Sequence, residues 1–219
     1  TSLDRRPVIE LADDNTFAGE RDPTPLLEVL AGANARWFTE ADWRIGERPE
    51  LLTRLAQSGC VQVLVGIESL TFRYPGMGEK ADALQRIMRA IDAIQAAGIA
   101  VNGCFVAGAD GETRQSLDRL SRFIQSSQLA DVQVTLQTPF PGTGLRTRLD
   151  REGRLLSDRD WSHYTLVDLT FQPDQMTVLE MESAFLELLS EIHGSAAAQR
   201  REAIRKQIWN NNRAMRGGT

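Results

Sequence analysis

The stretch GCVQVLVGIESL, Gly59 to Leu70, decides the fold class. Val61, Val63, Leu64, Val65 and Ile67 read as a strand buried on both faces, as in a parallel sheet covered by helices. The run stops at the polar pair Glu68-Ser69, and the carboxyl ends of such strands are where α/β enzymes gather their chemistry.

Working outward, the same strand-then-helix unit recurs at intervals of about 30 residues, the size of a βαβ crossover. Upstream, PVIELA (7–12) is a short strand running into the polar loop Asp13-Asp14-Asn15. Thr24-Pro25 then supplies an N-cap and a first-turn proline for a helix with Leu26, Leu27 and Leu30 inward. A second strand is predicted over Ala35 to Arg44, with Glu40, Asp42 and Arg44 toward its carboxyl end, followed by a helix from Pro49 to the stop at Gly59. Downstream of a loop with Pro75, Gly76 and Gly78, Leu84, Ile87, Met88, Ile91 and Ile94 recur at helical spacing until Gly98. Ile99 to Ala107 is a fourth strand, the turn residues 108–113 lead into a helix faced by Leu117, Leu120, Phe123 and Ile124, and Ala130 to Gln137 is a fifth strand. It ends at TPFPGTG (138–144), a rigid turn expected neither to continue a strand nor to begin a helix.

Consecutive parallel crossovers without a glycine-rich phosphate fingerprint after the first strand favour an α/β fold built as an arc of a TIM-like (β/α) barrel. The expected organisation is a partial barrel over residues 1–175 and a C-terminal helical extension over 176–219. Thr177 to Glu180 is a capping box for a helix with Phe185, Leu188, Leu189 and Ile192 inward. The basic tail from Ala196, with Arg200, Arg201, Arg205, Lys206, Arg213 and Arg216, reads as a solvated helix laid on an acidic body.

A chain of 219 residues, 42% hydrophobic and 25% charged, is long enough for one sizeable core. Its net charge of −5 argues against a general nucleic-acid or anionic-membrane surface, and no run approaches the ~20 apolar residues that span a bilayer. A cytoplasmic location is the default expectation. Cys60 and Cys104 have no CxxC spacing and read as structural thiols. His163, beside Trp161 and Tyr164, is a candidate pocket residue; His193 near a helix end is accounted for by the helix dipole.

Taken together, GIES (66–69), FVAGADGET (105–113) and TPFPGTGL (138–145) resemble the later strands of radical S-adenosylmethionine enzymes, most closely those that carry a cobalamin-binding domain. ADDNTF (12–17), WFTEADWRI (37–45), AQSGCVQVLVGIES (56–69) and DRDWSHY (158–164) fall in the order that family shows, so the resemblance covers roughly residues 7 to 175. It implies strands two to six of the partial barrel, one-electron cleavage of S-adenosylmethionine to a 5'-deoxyadenosyl radical or methyl transfer through cobalamin, and a substrate, small molecule or peptide, that the sequence does not name.

The resemblance also implies a [4Fe-4S] cluster held by a CxxxCxxC loop after the first barrel strand. This sequence contains no such motif, and two strand-borne cysteines cannot replace three loop thiolates. The expectation is therefore a fragment, a processed product or a trimmed chain whose cluster loop lies upstream of Thr1, with an exposed sheet edge that invites self-association.

By the same resemblance, Asp13, Asp14 and Asn15 would meet the methionine ammonium, although capping and turn formation would explain them too. Glu68 and Ser69 would grip ribose or methionine polar groups, and Arg44 would meet the ligand carboxylate or form a surface ion pair. Phe105, Val106 and Ala107, with the following glycine, would hold adenine by backbone groups and packing, with Pro139 and Phe140 walling its other face; core packing accounts for these nearly as well. Two other readings compete: a binding module that keeps an adenosyl pocket without the cluster, and an unrelated metal-dependent barrel enzyme using Asp13, Asp14, Glu40 and Glu68.

Overall fold

The computed structural model describes residues 8–19, 22–71 and 80–215. Five strands, β1 (Val8–Leu11), β2 (Arg36–Glu40), β3 (Cys60–Glu68), β4 (Ala100–Ala107) and β5 (Asp131–Leu136), form one sheet in the order β1-β2-β3-β4-β5. All four pairings are parallel, with Thr39 beside Val63, Val63 beside Val101 and Phe105 beside Val134. Every crossover moves one place in the same direction, without the reversal of strand order that defines a doubly wound sheet. The fold is α/β, an arc of a (β/α) barrel, and all five carboxyl ends lie on one rim.

The crossovers carry α1 (Thr24–Gly32), α2 (Pro49–Ser58), α3 (Lys80–Ala96) and α4 (Arg114–Ser126), and α5 (Gly144–Arg151), α6 (Val178–His193) and α7 (Ser195–Met215) follow. Their apolar faces cover one side of the sheet: Val63, Val65, Ile67, Val101, Phe105 and Leu136 are buried there, and Phe105 meets Phe123 of α4 edge to face at 6.1 Å. Trp37 of β2 is fully buried, its indole N–H donating to the Ser58 carbonyl at 3.1 Å. Period-two alternation sends Leu64, Gly66, Glu68, Asn102, Cys104 and Val106 to the opposite, inner face, where they are partly or fully exposed. β3 is therefore covered on one face, not on both as its composition predicts.

Several local expectations need correction. β2 ends at Glu40; Asp42 accepts from the Arg44 amide at 2.8 Å and starts a 3₁₀ turn (Trp43–Glu47), so Arg44 is not on a strand. Thr24 is the first residue of α1 rather than its N-cap, which is Pro23; Asp22 just before it accepts from the Thr24 amide at 3.0 Å, and Leu26 faces solvent. TPFPGTG does lead into a helix, because Thr143 accepts from the Arg146 amide at 3.2 Å and caps α5. The loop with Pro75, Gly76 and Gly78 lies outside the described residues, as does Arg216.

The basic tail helix is a structural element. Arg200 donates to the Ser127 carbonyl at 2.7 Å, Arg205 to the Ala130 carbonyl at 2.9 Å, and Arg201 to the Ile192 carbonyl. Buried Asn212 donates to the carbonyls of Gly98 (3.0 Å), just before β4, and Cys60 (3.5 Å), at the start of β3. Gly98 is required there: its φ is +83°, and a Cβ would stand 2.5 Å from the Asn212 Cα. Arg36 of β2 stacks on Trp209 of α7 at 4.5 Å. α7 thus lies at the amino ends of the strands, opposite the polar rim.

Candidate functional site at the carboxyl rim

The rim is assembled from loops that follow parallel strands. After β1, Asn15 uses its side-chain oxygen to accept from the Asp42 amide at 3.2 Å, and its own amide donates to Asp13 at 3.0 Å. Asn15 therefore ties the first two rim loops together, while Asp13 and Asp14 remain exposed. Arg44 is exposed, paired with Asp42 at 2.7 Å and lying 5.0 Å from the Trp43 ring; that surface ion pair is the arrangement the structure shows.

β3 ends in a local distortion. Its register with β4 shifts between Gly66 and Glu68, and Glu68 has a φ of +64°, a left-handed conformation costly for a side-chain-bearing residue. The Glu68 side chain folds back over Gly66, where a Cβ would lie 2.6 Å from its Oε1. The carboxylate is half-buried, no hydrogen-bond donor reaches it among the described residues, and desolvation raises its pKa. On the neighbouring strand the Cys104 thiol is pushed up to about 11, first by burial and then by the negative charges of Glu40 and Glu68. Glu40, Glu68 and Cys104 thus share the inner face. Cys60 is fully buried at the amino end of β3, far from the rim, where desolvation drives its pKa upward.

Ser69 is buried, and its hydroxyl lies 3.5 Å from Glu112, which also accepts from the Gly108 amide at 2.6 Å. Burial pushes Glu112 up to about 7, against the opposing pull of these two hydrogen bonds. Glu112 was not singled out in the sequence; its signal is a carboxylate in a glycine-bounded loop immediately before the helix cap Thr113. The same loop is pinned outward, Asp110 pairing with Arg148 at 2.5 Å and Arg154 at 2.9 Å, and the Gly111 amide donating to Asp174 at 3.0 Å. Phe105 and Ala107 pack on the helix side, so of the three proposed adenine contacts Val106 alone presents its side chain to the inner face.

After β5, Pro139 is buried but Phe140 points outward, its ring 6.4 Å from that of Tyr164, which in turn lies tilted 4.7 Å from Trp161. Arg146 lies among them, donating to the Tyr164 hydroxyl at 2.7 Å and to the Pro139 carbonyl at 3.3 Å. His163 sits beside this cluster with Nδ1 3.0 Å from Asp160, and His193 is exposed at the end of α6.

Among the described residues no three His, Cys, Asp or Glu side chains form a group able to hold a metal, so Asp13, Asp14, Glu40 and Glu68 do not make the carboxylate site of the metal-dependent alternative. The cysteines do not fit a [4Fe-4S] cluster either: one is fully buried at the amino end of β3, the other faces the inner surface, and the sequence holds only these two. The rim does suit a cationic, polar cosubstrate, because a half-buried carboxylate without a donor is what an ammonium or sulfonium would complement. Among the described residues no helix is long and apolar enough to cross a membrane.

No protein-family model matches the chain. It is 25% identical over 198 residues to the bacteriochlorophyllide d C-12(1)-methyltransferase of Chlorobaculum tepidum, covering 90% of this chain and 43% of that protein. It is 28% identical over 192 residues to the hopanoid C-2 methylase of Rhodopseudomonas palustris, covering 82% of this chain and 36% of that protein. The chain thus spans about two-fifths of the length of these relatives. Among solved structures, methylornithine synthase superposes with a TM-score of 0.49 at 13% identity, covering 92% of this chain and 55% of that one. The similarity to methylating enzymes agrees with the ordered motifs GIES, FVAGADGET and TPFPGTGL, through which the chain resembles the radical S-adenosylmethionine superfamily.

Proposed function

We propose that this chain is the S-adenosylmethionine-binding arc of a radical S-adenosylmethionine methyltransferase. The observation that carries the reading is Glu68: left-handed, half-buried, without a donor among the described residues, and placed at a strand's carboxyl end. Holding a carboxylate this way is unfavourable unless a cation completes it, and the cosubstrate carries both an ammonium and a sulfonium. In this reading Glu68 and Ser69 hold polar groups of the cosubstrate, Asp13 and Asp14 stand nearest its ammonium across the rim, and Val106 lies under the adenosyl group.

The [4Fe-4S] cluster and a cobalamin methyl carrier belong to the same proposal, held by segments other than these 219 residues, since the two cysteines here do not fit the cluster. When bound, they supply the electron and the methyl group. This chain's own residues bind and orient the cosubstrate, and the packed loop around Glu112 fixes the end of β3 from which Glu68 and Ser69 act.

The test is anaerobic calorimetric titration of the chain with S-adenosylmethionine. Binding by the wild type, weakened ~10-fold or more in Glu68→Gln by loss of a charge-assisted contact, supports the reading. Equal affinity in the two proteins would remove Glu68 from the site.

A further inference from the structure

Beyond β5 the rim carries a second cluster, around Arg146, apart from the carboxylates at the end of β3. Phe140 (40% exposed) and Trp161 (61%) flank Tyr164, at 6.4 Å and 4.7 Å between ring centroids, in an aromatic shelf at the surface, and Leu166 (37%) and Val167 (53%) are exposed on the segment that follows. Arg146 is set into the shelf, with its guanidinium carbon 4.9 Å from the Trp161 ring and 5.6 Å from the Tyr164 ring. One nitrogen, Nη1, makes both of its hydrogen bonds, to the Tyr164 hydroxyl and the Pro139 carbonyl. The Nε–Nη2 edge meets no acceptor among the described residues, and no carboxylate pairs with Arg146 there. Its neighbours on the same stretch are spent differently, Arg148 and Arg154 both being neutralised by Asp110.

An Nε–Nη2 edge is one of the two ways guanidinium takes a carboxylate through a pair of parallel hydrogen bonds. With Nη1 fixed and aromatic rings beside it, the fork is oriented before any ligand arrives, which lowers the entropy cost of binding. From this geometry we infer that the shelf is the substrate subsite, and that it takes a flat, largely apolar molecule bearing a carboxylate at its edge. The rings of Trp161 and Phe140 would cover the apolar framework, and Arg146 would fix its orientation against the rim where Glu68 stands. The inference rests on the reading of this chain as part of a methylating enzyme, and supplies the class of molecule that would be methylated.

The experiment uses two probes on the 219-residue chain, 1-pyrenebutyrate and its uncharged amide, followed by fluorescence anisotropy. The wild type is expected to prefer the carboxylate. Arg146→Met should weaken pyrenebutyrate ~10-fold and leave the amide unchanged, which abolishes the preference. Trp161→Ala, at a position exposed enough to spare the fold, should weaken both probes. Equal binding of both probes by the wild type, or unchanged binding in Trp161→Ala, would overturn the subsite. Titration of the same variants with S-adenosylmethionine separates the two proposals. Pyrenebutyrate bound through Arg146 in a chain that gives no heat with the cosubstrate would keep the shelf and remove the cosubstrate site; the reverse would remove the shelf alone.

Discussion

Two carboxylates on the rim, Glu68 and Glu112, are both held above their ordinary pKa by burial, but only Glu112 has hydrogen-bond partners among the described residues. Glu112 is 4% exposed and bonded to Gly108 and Ser69, which makes it a latch between the ends of β3 and β4. Because its folded pKa is raised to about 7, the folded state binds the proton more tightly than the unfolded chain, and stability is lost as pH rises from the ordinary carboxylate range through about 7. The shift corresponds to roughly 3 kcal/mol. Glu112→Gln should remove this dependence, so urea unfolding is expected to give similar stabilities at about pH 5 and a more stable variant at about pH 8. Parallel pH profiles for the two proteins would contradict the burial of a titrating carboxyl. Gly66→Ala addresses Glu68 without touching the core: the new methyl would stand 2.6 Å from Oε1, so the carboxylate must swing away. Unfolding free energy should change by less than about 1 kcal/mol, while cosubstrate affinity falls; unchanged affinity would show that the folded-back position has no role.

At the scale of elements, the helices and strand order were legible because their signals are local. Leu84 to Ile94 at helical spacing, Gly59 and Gly98 as stops, and the Thr177-Glu180 capping box each act within a few residues, and each appears in the structure. What the chain order could not reveal is tertiary. Leu64 between Val63 and Val65 makes β3 look apolar throughout, yet Gly66 and Glu68 on the side of Leu64 mark an open face. Arg44 was misplaced because Asp42 captures its amide and ends the strand early. Arg146 was missed because the ring cluster that gives it meaning comes from residues 15 to 18 positions later. The basic tail read as a solvated helix because arginine composition does not reveal that the acceptors are backbone carbonyls. Asn212→Ala tests that docking: leaving the Gly98 and Cys60 carbonyls without their donor in a buried joint should cost about 1–3 kcal/mol in urea unfolding, and a change below about 0.3 kcal/mol would mean that α7 is held by other contacts.

For the whole molecule, the arc leaves two kinds of edge. β5 is partly closed, its Leu136 amide donating to the Leu166 carbonyl at 2.6 Å. β1 pairs with β2 on one side only among the described residues, and Val8 is 61% exposed. Such an edge is a template for another strand, so concentration-dependent self-association is expected in sedimentation and should diminish in Val8→Lys. A monomer at every concentration would contradict this. The five parallel strands bring their polar ends to one rim, and the account depends on that rim binding a cation through Glu68. The most direct measurement is the heat of S-adenosylmethionine binding to the wild type and Glu68→Gln at about pH 8 and about pH 5. Because Glu68 protonates above the ordinary carboxylate range, wild-type affinity should fall toward acid pH while the variant binds weakly at both. A wild type that does not bind at about pH 8, or a variant that matches it at both values, would contradict the account.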